Sequence, residues 1–297
     1  MFTVVVLCAS SAAASAKAKT DYYLALGDSL SVGYQPNKSG VGTETKHGYV
    51  NDLYAAARKH DKNLKLVQLG CPGDTTASML TGKGNATEAR LFHCNRSHGS
   101  QLQAAVAFLK AHHAKGEVPL VTIDIGANDV DGCMTKASSG IGALYTCIAD
   151  GEKTIQSNLP KILKALRTAA PGKTVLSGMN LYDPLLAGEL SSDQTQAGEA
   201  RLSTQVVRQV NTLLAGDDKA AHFRTADVAN AFETYDTRPT STKGSPLAAT
   251  NPTVPRDVAE ICKLTWMCAP KPVGPNIHAN ASGYATIAEA FQAVGIR

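Results

Sequence analysis

Four short segments of this chain carry residue types that could do chemistry together. Residues 24–34 read Leu-Ala-Leu-Gly-Asp-Ser-Leu-Ser-Val-Gly-Tyr. Leu24 to Leu26 read as the end of a buried strand, Gly27 and Asp28 as a sharp turn, and Ser29 as the start of a helix. A serine so placed stands at the carboxyl edge of a sheet, where open α/β sheets bind ligands. A helix N-terminus there would add free N–H groups and a positive dipole end, both suited to a developing oxyanion. Ser29 is therefore a candidate nucleophile. The plain alternative is a serine that only caps the helix.

Three further segments repeat the pattern of strand, turn and polar residue. Residues 66–75 read Leu-Val-Gln-Leu-Gly-Cys-Pro-Gly-Asp-Thr, a strand and a Gly-rich turn. Residues 120–129 read Leu-Val-Thr-Ile-Asp-Ile-Gly-Ala-Asn-Asp, a buried strand ending in Gly-x-Asn-Asp. Residues 274–288 place His278 in a turn just before a C-terminal helix. Taken singly, Gly73 suits any tight turn after Pro72, Asn128 could cap its turn, and His278 could be a surface histidine. Taken together and in this order, the four segments resemble the signature blocks of the SGNH (GDSL-type) hydrolases. Ser29 matches the nucleophile of that family, Gly73 its second-block glycine, Asn128 its third-block asparagine and His278 its histidine. The resemblance runs from about Tyr22 to the C-terminus. The paired cysteines and the run Thr265-Trp266-Met267-Cys268 are similar to secreted actinobacterial esterases and lipases of the family.

The resemblance implies a serine ester hydrolase working through an acyl-enzyme. Ser29 would attack, and His278 would take its proton and later give it to the leaving alcohol. The backbone N–H groups of Ser29 and Gly73 and the side-chain amide of Asn128 would form the oxyanion hole. One departure stands out. Many family members carry an aspartate two or three residues before the histidine, whereas this chain has Asn276 and Pro275 there. The base could be oriented by a main-chain carbonyl within 274–276, by Asn276, or by a distant acid such as Asp183 or Asp227. Two other enzyme readings fit the same blocks: a carbohydrate O-acetylesterase and an acyltransferase. A non-catalytic surface-binding protein is the alternative of another class.

These residues need a scaffold to bring them together. Strand patterns fall at Tyr22–Leu26, Leu64–Leu69, Pro119–Ile125, Thr174–Ser177 and His222–Ala226. Helical patterns fall near 48–60, 100–114, 141–168, 194–215 and 281–294. Ile155, Leu159, Ile162 and Leu166 recur at helical spacing and mark one apolar face. Such alternation predicts an α/β fold: a three-layer α/β/α sandwich around a five-stranded, mainly parallel sheet. Residues 234–275 show little periodicity and read as a long functional loop that delivers His278. Trp266, the only tryptophan, either lines a pocket or anchors that loop.

Composition narrows the field. The chain has 297 residues, 43% of them hydrophobic, and a formal net charge of +4 with no basic run. That suits one domain over 17–297 and excludes a nucleic-acid binder, which needs a basic patch. Residues 1–16 hold no charge and end in Ala14-Ser15-Ala16, the pattern of a secretory signal peptide too short to span a membrane. The expectation is an exported monomer without a stable membrane anchor, acting on a small-molecule or lipid ester. Beyond Cys8 there are six cysteines, an even number that reads as disulfides in an exported chain. They fall into three sequence-local pairs: Cys71–Cys94, Cys133–Cys147 and Cys262–Cys268. No zinc-type spacing, Gly-x-Ser-x-Gly elbow or dinucleotide fingerprint occurs, so neither a metal nor a cofactor is expected.

Overall fold

Five apolar runs become the strands of one parallel sheet. The computed structural model describes residues 19–83, 94, 99–115, 117–133, 141–170, 172–243 and 245–296, so the expected signal peptide lies outside the described residues. The chain begins with β1 (Tyr22–Gly27), a small hairpin of β2 (Gln35–Pro36) and β3 (Gly42–Thr43), helix Tyr49–His60 and β4 (Lys65–Gln68). Helices Thr76–Thr81 and Gln101–His113 lead to β5 (Leu120–Asp124), and the long helix Ile141–Ala169 leads to β6 (Val175–Met179). A 3-10 segment, Pro184–Leu190, and helix Gln194–Ala220 precede β7 (Arg224–Ala226). A hairpin of β8 (Pro239–Ser241) and β9 (Thr253–Pro255), helix Arg256–Leu264 and helix Ala281–Ala293 complete the order.

The sheet order is β4-β1-β5-β6-β7, with every neighbouring pair parallel. β5 is buried along its whole length and β1 after its first residue. A parallel sheet of this kind requires helices on both faces. Helix Tyr49–His60 packs on Ala281–Ala293, while Gln101–His113 packs on Ile141–Ala169, which in turn meets Gln194–Ala220. The result is a three-layer α/β/α sandwich. Ile155, Leu159, Ile162 and Leu166 are all buried, as their spacing predicts.

The topology fixes where a site can form. From β1 the chain steps to β4 on one side, then crosses back to β5 on the other. That reversal opens a crevice at the carboxyl ends of the strands. The loops after β1, β4 and β5 carry Ser29, Gly73 and Asn128. Disulfides Cys71–Cys94, Cys133–Cys147 and Cys262–Cys268 are present, one near each of the Gly73, Asn128 and His278 segments.

Two expectations fail. No helix starts at Ser29; the chain makes a turn closed by Tyr34 N–H bonding to the Ser29 carbonyl at 3.0 Å. The Ser31 hydroxyl takes the Asp28 carbonyl, and the Gln68 amide takes that of Ser31. Side chains thus occupy carbonyls that a helical ladder would need. Residues 234–275 are also not one long loop, since they hold the β8–β9 hairpin and helix Arg256–Leu264. That helix buries few apolar side chains, among them Val258, Ile261 and Leu264, so its sequence signal is short.

Candidate active site

Ser29 is half-buried at the end of the turn after β1, and its Oγ lies 2.9 Å from His278 Nε2. The histidine comes from the far end of the chain, 249 residues away. Its other ring nitrogen, Nδ1, lies 2.8 Å from Asn276 Oδ1, which also accepts the His278 backbone N–H at 3.0 Å. An amide oxygen only accepts, so Nδ1 carries the proton and Nε2 is left free to accept from Ser29. Of the orienting groups considered, the Asn276 side chain is the one in contact. Asp183 accepts from Leu185 N, Ser203 Oγ and Thr204 Oγ1, and Asp227 from Asn180 Nδ2 and Asn230 N. Both ring nitrogens of His278 already have other partners.

The histidine segment is held from several sides. Tyr182 donates its hydroxyl to the Ile277 carbonyl at 2.9 Å. The Tyr34 ring lies 4.6 Å from the imidazole, centroid to centroid, and Tyr284 donates to the Tyr34 carbonyl. Trp266 lends its backbone: its N–H bonds to the His278 carbonyl at 3.0 Å, and its carbonyl accepts from Asn276 N–H at 3.2 Å. Trp266 anchors the arm; the cavity at Ser29 is walled by other residues. Burial lowers the His278 pKa from 6.5 to about 4. It is therefore a neutral base at neutral pH, with no carboxylate on Nδ1.

The glycine turn follows from its residue types. Asp74 N–H bonds to the Cys71 carbonyl at 3.1 Å across Pro72 and Gly73, and Gly73 has φ +75°. Proline then glycine at the two central positions is the signature of a type II turn. The turn's own bond uses the Asp74 N–H, and Gly73 itself lines the cavity. Asn128 sits in the short helical turn Ala127–Val130 after β5. Its Nδ2 donates to the Asp74 carbonyl at 3.0 Å and to Asp28 Oδ2 at 3.2 Å. Asp129 accepts from Thr76 N and Thr76 Oγ1 at 2.9 and 2.7 Å, which ties the third block to the second.

Beneath these residues lies a buried polar layer that spacing alone did not reveal. Gln101 brackets Gly27, accepting from its N–H at 2.6 Å and donating to its carbonyl at 2.9 Å, and also donates to Asp74 Oδ2. Tyr49 donates its hydroxyl to Asp124 Oδ1. Burial raises the pKa of Asp28, and raises that of Asp124 further with the charge of Asp28 added. The sequence signal for this layer is Asp124, an acid within the apolar run of β5. Among the described residues, no group of three or more His, Cys, Asp and Glu is arranged to hold a metal ion.

A cavity of about 290 Å³ opens beside Ser29 and His278. Leu30, Val130, Leu181, Leu185, Val207 and Val210 supply its apolar wall. Val207 and Val210 come from helix Gln194–Ala220, and Leu185 from the 3-10 segment before it.

Comparison with solved structures finds the same architecture. An extracellular lipase from Streptomyces rimosus superposes with a TM-score of 0.55 at 19% identity, over 93% of this chain and all of that one (100%). A phospholipase A1 from Streptomyces albidoflavus gives 0.56 at 18% identity, over 92% and 99%. A lipase from a goat rumen metagenome gives 0.53 at 16%, over 93% and 98%. At such identities the likeness is one of fold. No curated protein sequence matches the chain. The profile of the GDSL-like lipase/acylhydrolase family, however, matches residues 25–286, which takes in all four blocks. With Ser29, Gly73, Asn128 and His278 converging on one sheet edge, this chain belongs to the GDSL-like lipase/acylhydrolase family.

Proposed function

We propose that the protein is an exported serine carboxylester hydrolase that cleaves aliphatic esters through an acyl-enzyme on Ser29. The observation that carries this reading is the relay Ser29 Oγ, His278 Nε2, His278 Nδ1, Asn276 Oδ1, with steps of 2.9 and 2.8 Å at the two ring nitrogens. His278 Nε2 accepts the hydroxyl proton as Ser29 Oγ bonds to the ester carbonyl carbon. Collapse of the tetrahedral intermediate breaks the bond to the alcohol oxygen, which leaves with the proton from His278. Water repeats the sequence and releases the acid.

The developing oxyanion would be met by the N–H groups of Ser29 and Gly73 and by Asn128 Nδ2. The Asn128 amide is already turned the right way, because both its partners, Asp74 O and Asp28 Oδ2, are acceptors. Its looser bond, at 3.2 Å to Asp28, can be shared with an incoming oxyanion. The apolar part of the cavity wall supports an aliphatic acyl group. Export is supported by three disulfides, by the uncharged N-terminal stretch, and by the absence, among the described residues, of a helix long and apolar enough to cross a membrane.

The test is covalent labelling with a fluorophosphonate, followed by peptide mapping. A label on Ser29, lost in Ser29→Ala, is the expected result. A label on another serine, or none in a folded protein, would overturn the reading.

A further inference from the structure

The mechanism uses none of the acids beneath Ser29, yet they are among the most buried polar groups in the molecule. Asp28 and Asp124 are 2% and 1% exposed. They meet where β1 and β5 end side by side: Gly27 pairs with Asp124, and the Asp28 N–H donates to Asp124 Oδ2 at 3.2 Å. A Cβ on Gly27 would stand 2.1 Å from Asp124 Oδ1, so only glycine lets the second carboxyl lie against the turn. Among the described residues no cation pairs with either carboxyl, although surface acids of this chain do form ion pairs.

Two carboxylates this close and this buried cannot both be ionised, so one retains a proton. Their surroundings decide which. Asp28 receives the Leu30 N–H at 3.0 Å and Asn128 Nδ2 at 3.2 Å. Asp124 receives the Tyr49 hydroxyl and the Asp28 N–H, and lies deeper, farther from the cavity that Asp28 lines. Each accepts two donors, so depth decides: the anion is favoured on Asp28, the carboxyl nearer the cavity, and the proton on the deeper Asp124.

Its location has a consequence for Asn128. An ionised carboxylate only accepts, so it demands the nitrogen of the Asn128 side chain and refuses the oxygen. A protonated Asp28 could donate to the amide oxygen instead, which would leave the Asn128 nitrogen held by the Asp74 carbonyl alone. We propose that Asp28 and Asp124 form a one-proton pair with the proton resting on Asp124, and that the acceptor-only Asp28 thereby fixes the Asn128 amide nitrogen toward the oxyanion site. Asp28 and Asp124 are positioning residues. The role assigned to Asn128 rests on the function proposed above; the protonation of the pair does not.

Infrared spectroscopy and kinetics together test the proposal. At neutral pH the spectrum of the wild type should contain a carboxylic-acid carbonyl band that Asp124→Asn removes. Tyr49→Phe keeps the ring but loses the hydroxyl bonded to Asp124, and should shift that same band. Asp124→Asn, whose amide can donate to Asp28 as the acid did, should keep kcat within about threefold of wild type. Asp28→Asn can donate to Asn128 and weaken the hold on its orientation, which then rests on the Asp74 carbonyl, so kcat should fall roughly tenfold or more with KM little changed. Persistence of the band in Asp124→Asn, or its indifference to Tyr49→Phe, would overturn the shared proton. A loss in Asp124→Asn equal to that in Asp28→Asn, or an Asp28→Asn variant altered chiefly in KM, would overturn the positioning role. Should Asp124→Asn fail to fold, the response of the wild-type band to Tyr49→Phe decides. The spectra read the pair whether or not Ser29 proves to be the nucleophile.

Discussion

The two sides of Ser29 are built on opposite electrostatic plans. On one side is the floor: Asp28, Asp74 and Asp124 under the turn, laced to Gln101, Tyr49 and Asn128. On the other is the histidine arm, where His278 touches a neutral amide, a tyrosine ring and the Trp266 main-chain N–H. The acids lie where no base needs them, and the base has none. The arm obtains orientation from Asn276 without the charge that would stabilise an imidazolium. Correct orientation and charge stabilisation are separable in this site, and this chain has kept the first without the second.

The largest expected effect tests the arm as a unit. His278→Ala should be nearly as damaging as Ser29→Ala, each by several orders of magnitude in kcat, because the two groups act together. Steady-state rates within about tenfold of wild type in a folded His278→Ala variant would remove the histidine from the mechanism.

The floor comes next. Asn128→Ala should lower kcat by roughly 100-fold or more with KM nearly unchanged, since its amide acts mainly on the developing oxyanion. A variant changed chiefly in KM would make Asn128 a substrate-binding residue and erase the contrast between floor and arm.

Asn276 separates orientation from charge. Asn276→Ala removes the acceptor at Nδ1 and should lower kcat roughly ten- to a hundredfold. Asn276→Asp keeps the geometry and adds an anion. An adjacent negative charge favours the imidazolium, so the His278 pKa should rise from about 4, and the acid limb it imposes on activity should move to higher pH. An NMR titration of the His278 ring reads this directly. An unmoved pKa would mean that residue 276 does not face Nδ1 in solution.

The acyl wall gives a smaller and more selective effect. Val210 is fully buried and lines the cavity. Val210→Phe should shorten the preferred acyl chain in a p-nitrophenyl ester series while leaving acetate hydrolysis within about twofold. An unchanged chain-length profile would place the acyl group elsewhere.

The smallest effect concerns the staple of the arm. Cys262–Cys268 closes a loop of only a few residues, with a sequence separation of 6. Replacing both cysteines by serine should cost about 2 kcal/mol of stability by loop entropy. Calorimetry should show the loss, and a Tm equal to wild type would contradict it.

Much of this was legible in the chain itself. Alternating apolar runs and helical periods are local patterns, and they marked the five sheet strands and the five long helices, often to within a few residues. Gly73 was readable because a proline–glycine pair prescribes its own turn. Ser29 and His278 were readable as turn residues beside apolar elements. The helix expected at Ser29 was not formed because Gln68, from a different strand, takes a carbonyl the helix would need. Helix Arg256–Leu264 escaped notice because nine residues carry too few apolar repeats to stand out.

What the sequence determined by itself was the five strands of the parallel sheet and which serine, glycine, asparagine and histidine lie at element ends. Those depend on hydrophobic period and turn chemistry, which act over a few residues. Only the tertiary structure decided that the Asn276 side chain meets the His278 ring, and that Asp183 and Asp227 are engaged elsewhere. It also decided that Asp28 and Asp124 lie against one another and that helix Gln194–Ala220 closes an acyl-sized cavity. Those facts depend on which groups meet through space after the sheet has formed, and no spacing along the chain encodes a contact between residues 96 positions apart.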